Sequence, residues 1–152
     1  ALVRDARRQS LPTHGHPRAG LCCALYCLWA RRILEDASDP WASAVETLRR
    51  VTEATDEPEI DLILGYDGLL GTGYVVSTLH AAHAATEAGG FASVVRSAIA
   101  MGDDTDTTAC VAGGITGLRD GRRSIPARWM EALRGKEIAQ PLVDTLIARR
   151  ST

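Results

Sequence analysis

The sequence contains few aromatic side chains and no long apolar run. Phe, Trp and Tyr make up 5% of the 152 residues, whereas alanine is abundant, a composition that favours helices packed closely through small side chains. The longest apolar run, Ala19–Ala30 (AGLCCALYCLWA), is shorter than the roughly 20 residues that cross a bilayer. The run therefore predicts a buried helix, and no membrane partner is expected.

An excess of charge is missing as well. The chain carries 17 basic and 19 acidic side chains, so its overall charge indicates no attraction to nucleic acid or to an anionic membrane surface. No basic segment precedes an apolar one at the N-terminus, so no signal peptide is predicted. Nucleic acid is therefore not expected among the partners.

The four cysteines form no CxxC pair of the kind that indicates a zinc site. Cys22, Cys23 and Cys27 lie within the apolar run, where cysteine behaves as a small apolar residue, and Cys110 lies in a second apolar segment. We expect all four to be reduced and buried, which is typical of a cytoplasmic protein.

Helical periodicity extends over most of the chain, and no alternating pattern predicts a long strand. Pro17 and Pro40 are well placed at first helical positions, and Asp39 can cap the second of these helices. An apolar stripe on that second helix ends at Val51. Further helices are predicted over residues 74–88, 91–99, 109–118, 126–134 and 142–147. The predicted fold class is all-α, with a single helical domain over residues 1–152.

Two segments interrupt this helical pattern. The polar stretch EATDEPE, residues 53–59, predicts a break, and residues 65–73 contain four glycines, which predicts unusual backbone angles or close backbone approach. Residues 109–118 are apolar or small on every side and therefore predict a helix buried all round. The three glycines at 113, 114 and 117 each cost that helix about 1 kcal/mol, so neighbouring helices are expected to approach closely there.

The stretch GDDTDTT, residues 102–108, places acidic and hydroxyl side chains directly before this apolar helix. In a turn that enters a helix, Asp104, Asp106 and Thr107 can converge on one point. All three are hard oxygen donors, which suit magnesium or manganese better than zinc or copper. The stretch therefore predicts a metal site.

Three other interpretations of these residues were weighed. Simple N-capping needs one such side chain, whereas residues 104–108 supply five acidic or hydroxyl side chains in a row. An EF-hand is excluded because its turn glycine would be Ala109 and its bidentate glutamate would be Ile115. The D-x-D-x-T motif of haloacid-dehalogenase-like phosphatases would make Asp104 the nucleophile and Asp106 the acid/base, but that motif follows a buried strand, and here a predicted helix precedes it.

The segment GDDTDTTACVAGGITGLRDG, residues 102–121, resembles the C-terminal metal motif of the ADP-ribosylglycohydrolase family, which is all-helical and binds two magnesium or manganese ions. Three further segments are similar to parts of the same family in the same order: LPTHGHPRAGLCCALYC, GTGYVVSTLHAA and IPARWMEAL. A match of four ordered motifs is far more specific than a match of one. The resemblance spans residues 10–147 and implies a compact multi-helix bundle.

Carried over residue by residue, the resemblance implies functional roles for three groups of side chains. Asp104, Asp106 and Thr107 match the metal-binding positions, and the two aspartates would serve catalysis through the metals. His14 matches a histidine near the bound ADP-ribose, which it would position. The loop that lines the substrate pocket and approaches the pyrophosphate would be Gly71, Thr72, Gly73 and Tyr74. Asp103 stands where the family usually has a glycine, and Ser77 stands where many members have an aspartate.

The family's other metal ligands lie in an N-terminal Thr-Asp-Asp motif, which does not occur before Thr13 in this sequence. The chain therefore resembles the C-terminal half of a metal-dependent ADP-ribosyl hydrolase that uses two Mg²⁺ or Mn²⁺ ions when complete. The implied partners are ADP-ribose or an ADP-ribosylated substrate, together with a chain or segment that supplies the N-terminal half. Without that half, we expect exposed apolar surface and self-association into a homo-oligomer. The alternative is a catalytically inactive helical module that binds ADP-ribose or a partner subunit.

Overall fold

A computed structural model of the protein describes residues 1–150, and most of them are helical. Within those residues no strand occurs, which confirms the all-α prediction and leaves the D-x-D-x-T motif without the strand it requires. The α-helices are α1 Leu2–Ser10, α2 Pro17–Leu34, α3 Pro40–Val51, α4 Glu57–Leu64, α5 Val75–Ala85, α6 Phe91–Ala100, α7 Thr105–Asp120, α8 Ala127–Ala132 and α9 Lys136–Arg150.

Helix α2 lies at the centre of the packing, and α1, α3, α4, α5 and α7 all contact it. Its apolar run is buried as predicted, with Leu21, Ala24 and Leu25 fully inaccessible to solvent. These side chains join one core cluster with Leu48 of α3 and with residues of α4, α5 and α7. A second, alanine-rich cluster joins α5, α6 and α7. The sites described below lie where α2, α5 and α7 meet.

The starts of α2 and α3 follow from their prolines and from the residue before each. Asp39 accepts a hydrogen bond from the backbone N–H of Ala42 at 2.9 Å, which confirms the predicted cap. His16 caps α2 in the same way, because its Nδ1 accepts from the N–H of Arg18 at 3.2 Å. The predicted stripe of α3 is packed up to Leu48, whereas Val51 is 53% exposed at the end of the helix.

The predicted break at residues 53–59 is wrong in its second half, because α4 begins at Glu57. Two acidic residues and Pro58 occupy its first turn. Carboxylates there interact favourably with the helix dipole, and the missing N–H of proline costs no hydrogen bond in the first turn. The helix is then held by burial of Ile60 and Ile63, both fully inaccessible. The polar character of the stretch is therefore that of a helix start.

Helix α7 is buried along one face only, so the prediction of burial on every side is wrong. Thr108, Ala112 and Ile115 are buried against α2, α5 and α6, whereas Leu118 is 43% exposed. Cys110 also lies on the exposed face, and Cys23 and Cys27 of α2 are only half-buried, so the prediction that all four cysteines are buried is correct for Cys22 alone. Small side chains allow burial on every side, but neighbouring helices cover α7 on one side within the described residues.

The glycines of α7 permit close approach, as predicted, most clearly at Gly114. A Cβ atom at that position would lie 2.5 Å from the hydroxyl oxygen of Tyr26 on α2. The space instead admits that phenol, which donates a hydrogen bond to the carbonyl of Val111 at 3.2 Å. The contact compensates in part for the low helix propensity of glycine.

The last two helices pack less closely than the rest. The predicted final helix exists as α9, but its apolar side chains are between 45% and 71% exposed: Ile138, Leu142, Val143, Leu146 and Ile147. Its sequence also contains Pro141 inside the helix. No helix among residues 1–150 has both the length and the apolar character needed to cross a membrane.

Candidate active site

The turn between α6 and α7 reverses the chain through two residues with positive φ. Gly102 has φ +81°, and Asp103 has φ +55°, in the left-handed region that favours glycine. Aspartate is one of the few other residues that adopt this conformation routinely. The backbone therefore explains why a glycine suits the position that Asp103 occupies. The Asp103 side chain is exposed to solvent.

Asp104 caps α7 and lies together with the other two predicted metal ligands. Its Oδ1 accepts a hydrogen bond from the backbone N–H of Thr107 at 3.3 Å. The Thr107 hydroxyl, followed by that N–H and the neighbouring Asp106 side chain, lowers the pKa of Asp104. Asp104 is half-buried, whereas Asp106 and Thr107 are exposed. The three oxygen donors thus form one cluster that solvent can reach.

The glycine loop at residues 71–73 packs directly on this cluster. The carbonyl of Gly71 accepts a hydrogen bond from the N–H of Asp104 at 2.9 Å. A Cβ at Gly73 would lie only 2.5 Å from Oδ2 of Asp104. Gly71 and Gly73 have φ +79° and +72°, so the predicted unusual angles and close approach are both confirmed. Two loops distant in sequence therefore form one surface.

Ser77 stabilises the glycine loop through two hydrogen bonds to the backbone. It is fully buried in the first turn of α5, donates to the carbonyl of Leu69 at 2.7 Å, and accepts from the N–H of Thr72 at 3.1 Å. The sequence marks Ser77 only as a departure from the family's aspartate. Its support of the loop depends on the folded path of residues 69–72, which no local pattern predicts.

Two cavities of about 370 Å³ each adjoin the loop. The first lies among α1, α2, α5 and α7, and its walls include His14, Gly73 and Thr107. The second shares His14 and Gly73 and adds Arg18 and Tyr74. The structure thus brings together predicted residues from three separate segments. His14 is exposed, and its Nδ1 lies 2.9 Å from the hydroxyl of Thr13.

Thr78 is a buried polar residue of the first cavity that the sequence did not single out. It is 5% exposed, and its hydroxyl has no hydrogen-bond partner among residues 1–150. An unpartnered buried hydroxyl is costly unless water or a ligand satisfies it. Thr78 is therefore a candidate contact for a molecule in this cavity.

The cysteines of α2 contribute apolar surface to the same cavity. Cys22, Cys23 and Cys27 line it as free thiols. Burial raises the pKa of Cys22 to about 12 and also raises the pKa of Cys23 and of Cys27. Because thiolates are the reactive form, these neutral thiols act as packing surface rather than as nucleophiles.

The donor set fits a hard divalent cation in chemistry and is partial in number. Asp104, Asp106 and Thr107 offer carboxylate and hydroxyl oxygens, the ligand type that magnesium and manganese prefer. Within residues 1–150, no three His, Cys, Asp or Glu side chains converge as a complete metal cage. A cation that keeps several water ligands, as Mg²⁺ does, matches such a set.

Comparison with known proteins places this chain in a family. The model of the ADP-ribosylglycohydrolase family matches residues 1–152, and the chain belongs to that family, as the motifs predicted. Over 144 residues it is 30% identical to ADP-ribosylarginine hydrolase Tri1 of Pseudomonas putida (strain GB-1). That alignment covers 93% of this chain and 38% of the relative. Over 58 residues it is 40% identical to ADP-ribosylhydrolase ARH3 of Danio rerio, covering 38% of this chain and 16% of that protein.

The matched region is thus well under half the length of either relative. No solved structure gives a significant match. Both relatives are named as hydrolases, one an ADP-ribosylarginine hydrolase and the other an ADP-ribosylhydrolase.

Proposed function

We propose that this chain supplies ADP-ribose-binding and metal-binding residues to an ADP-ribosyl hydrolase, which cleaves the glycosidic bond between ADP-ribose and an acceptor. The observation that carries the proposal is the contact between the two loops. Gly73 packs on Oδ2 of Asp104, and the carbonyl of Gly71 accepts a hydrogen bond from the backbone N–H of Asp104. A ligand on the glycine loop would therefore reach the aspartate cluster directly.

In this proposal the chain's residues divide the work between ligand and cation. Asp104, Asp106 and Thr107 would hold Mg²⁺ or Mn²⁺, two ions being expected in the whole protein. A cation there would supply charge stabilisation and a favourable position for the attacking water. Hydrolysis of such a bond passes through a transition state that resembles an oxocarbenium ion, which neighbouring carboxylates stabilise.

The loop and histidine would bind the ligand rather than react with it. Glycine lets the backbone of residues 71–73 approach a pyrophosphate closely, with N–H groups as donors. His14 and Tyr74 line the cavity beside that loop and would position the ribose and phosphate groups. Thr78 would add a hydroxyl contact from the wall of the adjoining cavity.

The remaining cation ligands would come from another segment or chain. This proposal accounts for the partial donor set among the described residues. The exposed apolar side chains of α9 would pack against that segment or against a second copy in a homo-oligomer. The free cysteines are consistent with a reducing, cytoplasmic setting.

The experiment measures magnesium-dependent release of ADP-ribose by the whole protein, together with Mn²⁺ binding by electron paramagnetic resonance. Asp104→Ala and Asp106→Ala are compared with Asp103→Ala, a matched control one residue away. We expect both readouts to fall sharply in the first two variants and to persist in the control. Undiminished release in Asp104→Ala and Asp106→Ala would refute the site.

A second candidate function is a module that binds ADP-ribose without hydrolysing it, and the partial donor set favours it. Binding and release measured on the whole protein, with and without magnesium, separate the two functions. Binding of ADP-ribose without release by the whole protein, unaffected by removal of magnesium, would support the module and contradict the hydrolase.

A further inference from the structure

We propose that Arg18 is a positioning residue that fixes the Tyr74 ring at the edge of the ADP-ribose pocket, with Glu59 as its anchor. The inference rests on the proposed function for the identity of the ligand. It assigns a role to a side chain that lies in none of the metal or loop positions already discussed.

Tyr74 has little other support for the orientation of its ring. It stands between the glycine loop and α5, and 41% of its surface is exposed. It caps α5 without a side-chain hydrogen bond to that helix. Its ring contacts the edge of Tyr66, with 5.9 Å between centroids, a contact that leaves rotation about the side chain open. The directional contact of its hydroxyl is the hydrogen bond donated by Nη1 of Arg18 at 2.8 Å.

Arg18 is itself held firmly. It lies in the first turn of α2, and its Nε donates to Oε2 of Glu59 on α4 at 2.6 Å. Both side chains of this ion pair are only about a quarter exposed, 25% and 26%. The hydrogen bonds to Glu59 and then to Tyr74 raise the pKa of Arg18, so the cation is permanent. One planar guanidinium therefore joins α2, α4 and the end of the glycine loop.

The same guanidinium faces the cavity that His14, Gly73 and Tyr74 line. An arginine can bond Glu59 and Tyr74 at once because its donors form a rigid planar fork. A lysine ammonium keeps the charge but lacks that geometry. A comparison of arginine with lysine at position 18 therefore separates a requirement for positive charge from a requirement for orientation of the Tyr74 ring.

Arg18 is dispensable for the packing of α2 on α4, which depends on buried apolar side chains. Ile60 and Ile63 of α4 and Leu21 and Leu25 of α2 are fully buried in one cluster. An ion pair that solvent still reaches adds little to stability by comparison. Variants at Arg18 should therefore fold, and a change in ligand affinity can be read separately from a change in stability.

The first test is the affinity of the whole protein for ADP-ribose, measured by titration calorimetry. We expect Arg18→Gln and Tyr74→Phe each to weaken binding roughly fivefold, a typical net loss for one hydrogen bond. The double variant should bind no more weakly than either single variant, since the two residues act through one contact. The matched control, Arg31→Gln, removes an ion pair with Glu35 on the same helix and should leave affinity unchanged.

Arg18→Lys distinguishes positioning from simple charge. We expect it to bind as weakly as Arg18→Gln. Full recovery with lysine, additive losses in the double variant, or unchanged affinity in Arg18→Gln would each overturn the proposal.

A second readout does not depend on the ligand. The chain contains three tyrosines, so ¹³C-labelled tyrosine gives a simple spectrum in which Tyr74→Phe assigns the Tyr74 signals. Arg18→Gln should shift those signals and leave Tyr26, which bonds the carbonyl of Val111, unchanged. An unshifted Tyr74 signal would overturn the positioning role. Absence of ADP-ribose binding by the whole wild-type protein, with the expected Tyr74 shift, would instead refute the proposed function alone.

Discussion

Helices α3 and α7 both begin behind an aspartate that caps the first turn. At α3, Oδ1 of Asp39 accepts the N–H of Ala42 at 2.9 Å, and proline follows. At α7, Oδ1 of Asp104 accepts the N–H of Thr107 at a longer 3.3 Å, while its other oxygen meets the glycine loop. A cap uses one oxygen. The excess of donors at α7 is what distinguishes a site from a cap.

The surroundings of the two aspartates differ in the same sense. Beside Asp39, the ring of Trp41 stacks on His83 with 4.1 Å between centroids, and Trp29 meets both rings edge-on. Beside Asp104 lies the glycine loop, and Gly73 and Thr107 line an open cavity. Aromatic rings therefore pack around Asp39, whereas residues without side chains leave space beside Asp104.

Gly73→Ala should have the largest effect. A Cβ there meets Oδ2 of Asp104 and occupies a residue with φ +72°, so we expect a loss of roughly 2 kcal/mol in the free energy of unfolding. Urea unfolding measures it. Gly102→Ala is the matched control, with φ +81° and no atom within 4 Å of the added Cβ, and should cost about 1 kcal/mol. Equal losses would show that the loop does not press on Asp104.

Removing the two caps should separate their roles directly. Asp39→Ala should cost about 1 kcal/mol, because the cap is its principal contact. Asp104→Ala should cost less stability, since its cap bond is longer at 3.3 Å, yet it should abolish Mn²⁺ binding. Thermal unfolding and Mn²⁺ titration of both variants decide the matter, and a greater stability loss at Asp104 would contradict the distinction.

The aromatic cluster around Trp41 and His83 should lose stability in mild acid. Burial lowers the pKa of His83 below 6.5; Glu87 and Asp39 oppose this shift, and His80 adds to it. Below about pH 6.5 the unfolded chain then binds more protons than the folded one, so the contribution of His83 to stability falls as pH falls. Unfolding at pH 7.5 and 5.5 should show a modest loss that His83→Gln reduces. A matching reduction by His14→Gln, an exposed histidine, would count against this assignment.

Asp103→Gly should produce the smallest change and one of opposite sign. Glycine adopts φ +55° without steric cost, but it also gives the unfolded chain more conformational entropy. We expect the sum of the two effects to raise the free energy of unfolding by about 0.5 kcal/mol. Chemical unfolding measures the gain, and Mn²⁺ binding should be unchanged. A clear loss of stability would show that the Asp103 side chain supports the turn.

Much of the fold was predictable because its signals are local. Proline at the first turn and aspartate before it announce the start of α3, and apolar spacing within α2 announces its burial. The errors have a physical cause too. Whether Cys110 and Leu118 are covered depends on which helices pack on α7, and a uniformly apolar segment does not say on which side neighbours lie.

The candidate site divides along the same line. The kinds of donor at Asp104, Asp106 and Thr107, and the need for glycine at 71 and 73, follow from side-chain chemistry and backbone sterics, which each residue carries with it. The partners do not follow, because they are joined across long stretches of chain: Gly73 with Asp104, Arg18 with both Glu59 and Tyr74. Those contacts exist only once α2, α4, α5 and α7 are packed, since packing alone brings such distant residues within hydrogen-bond range.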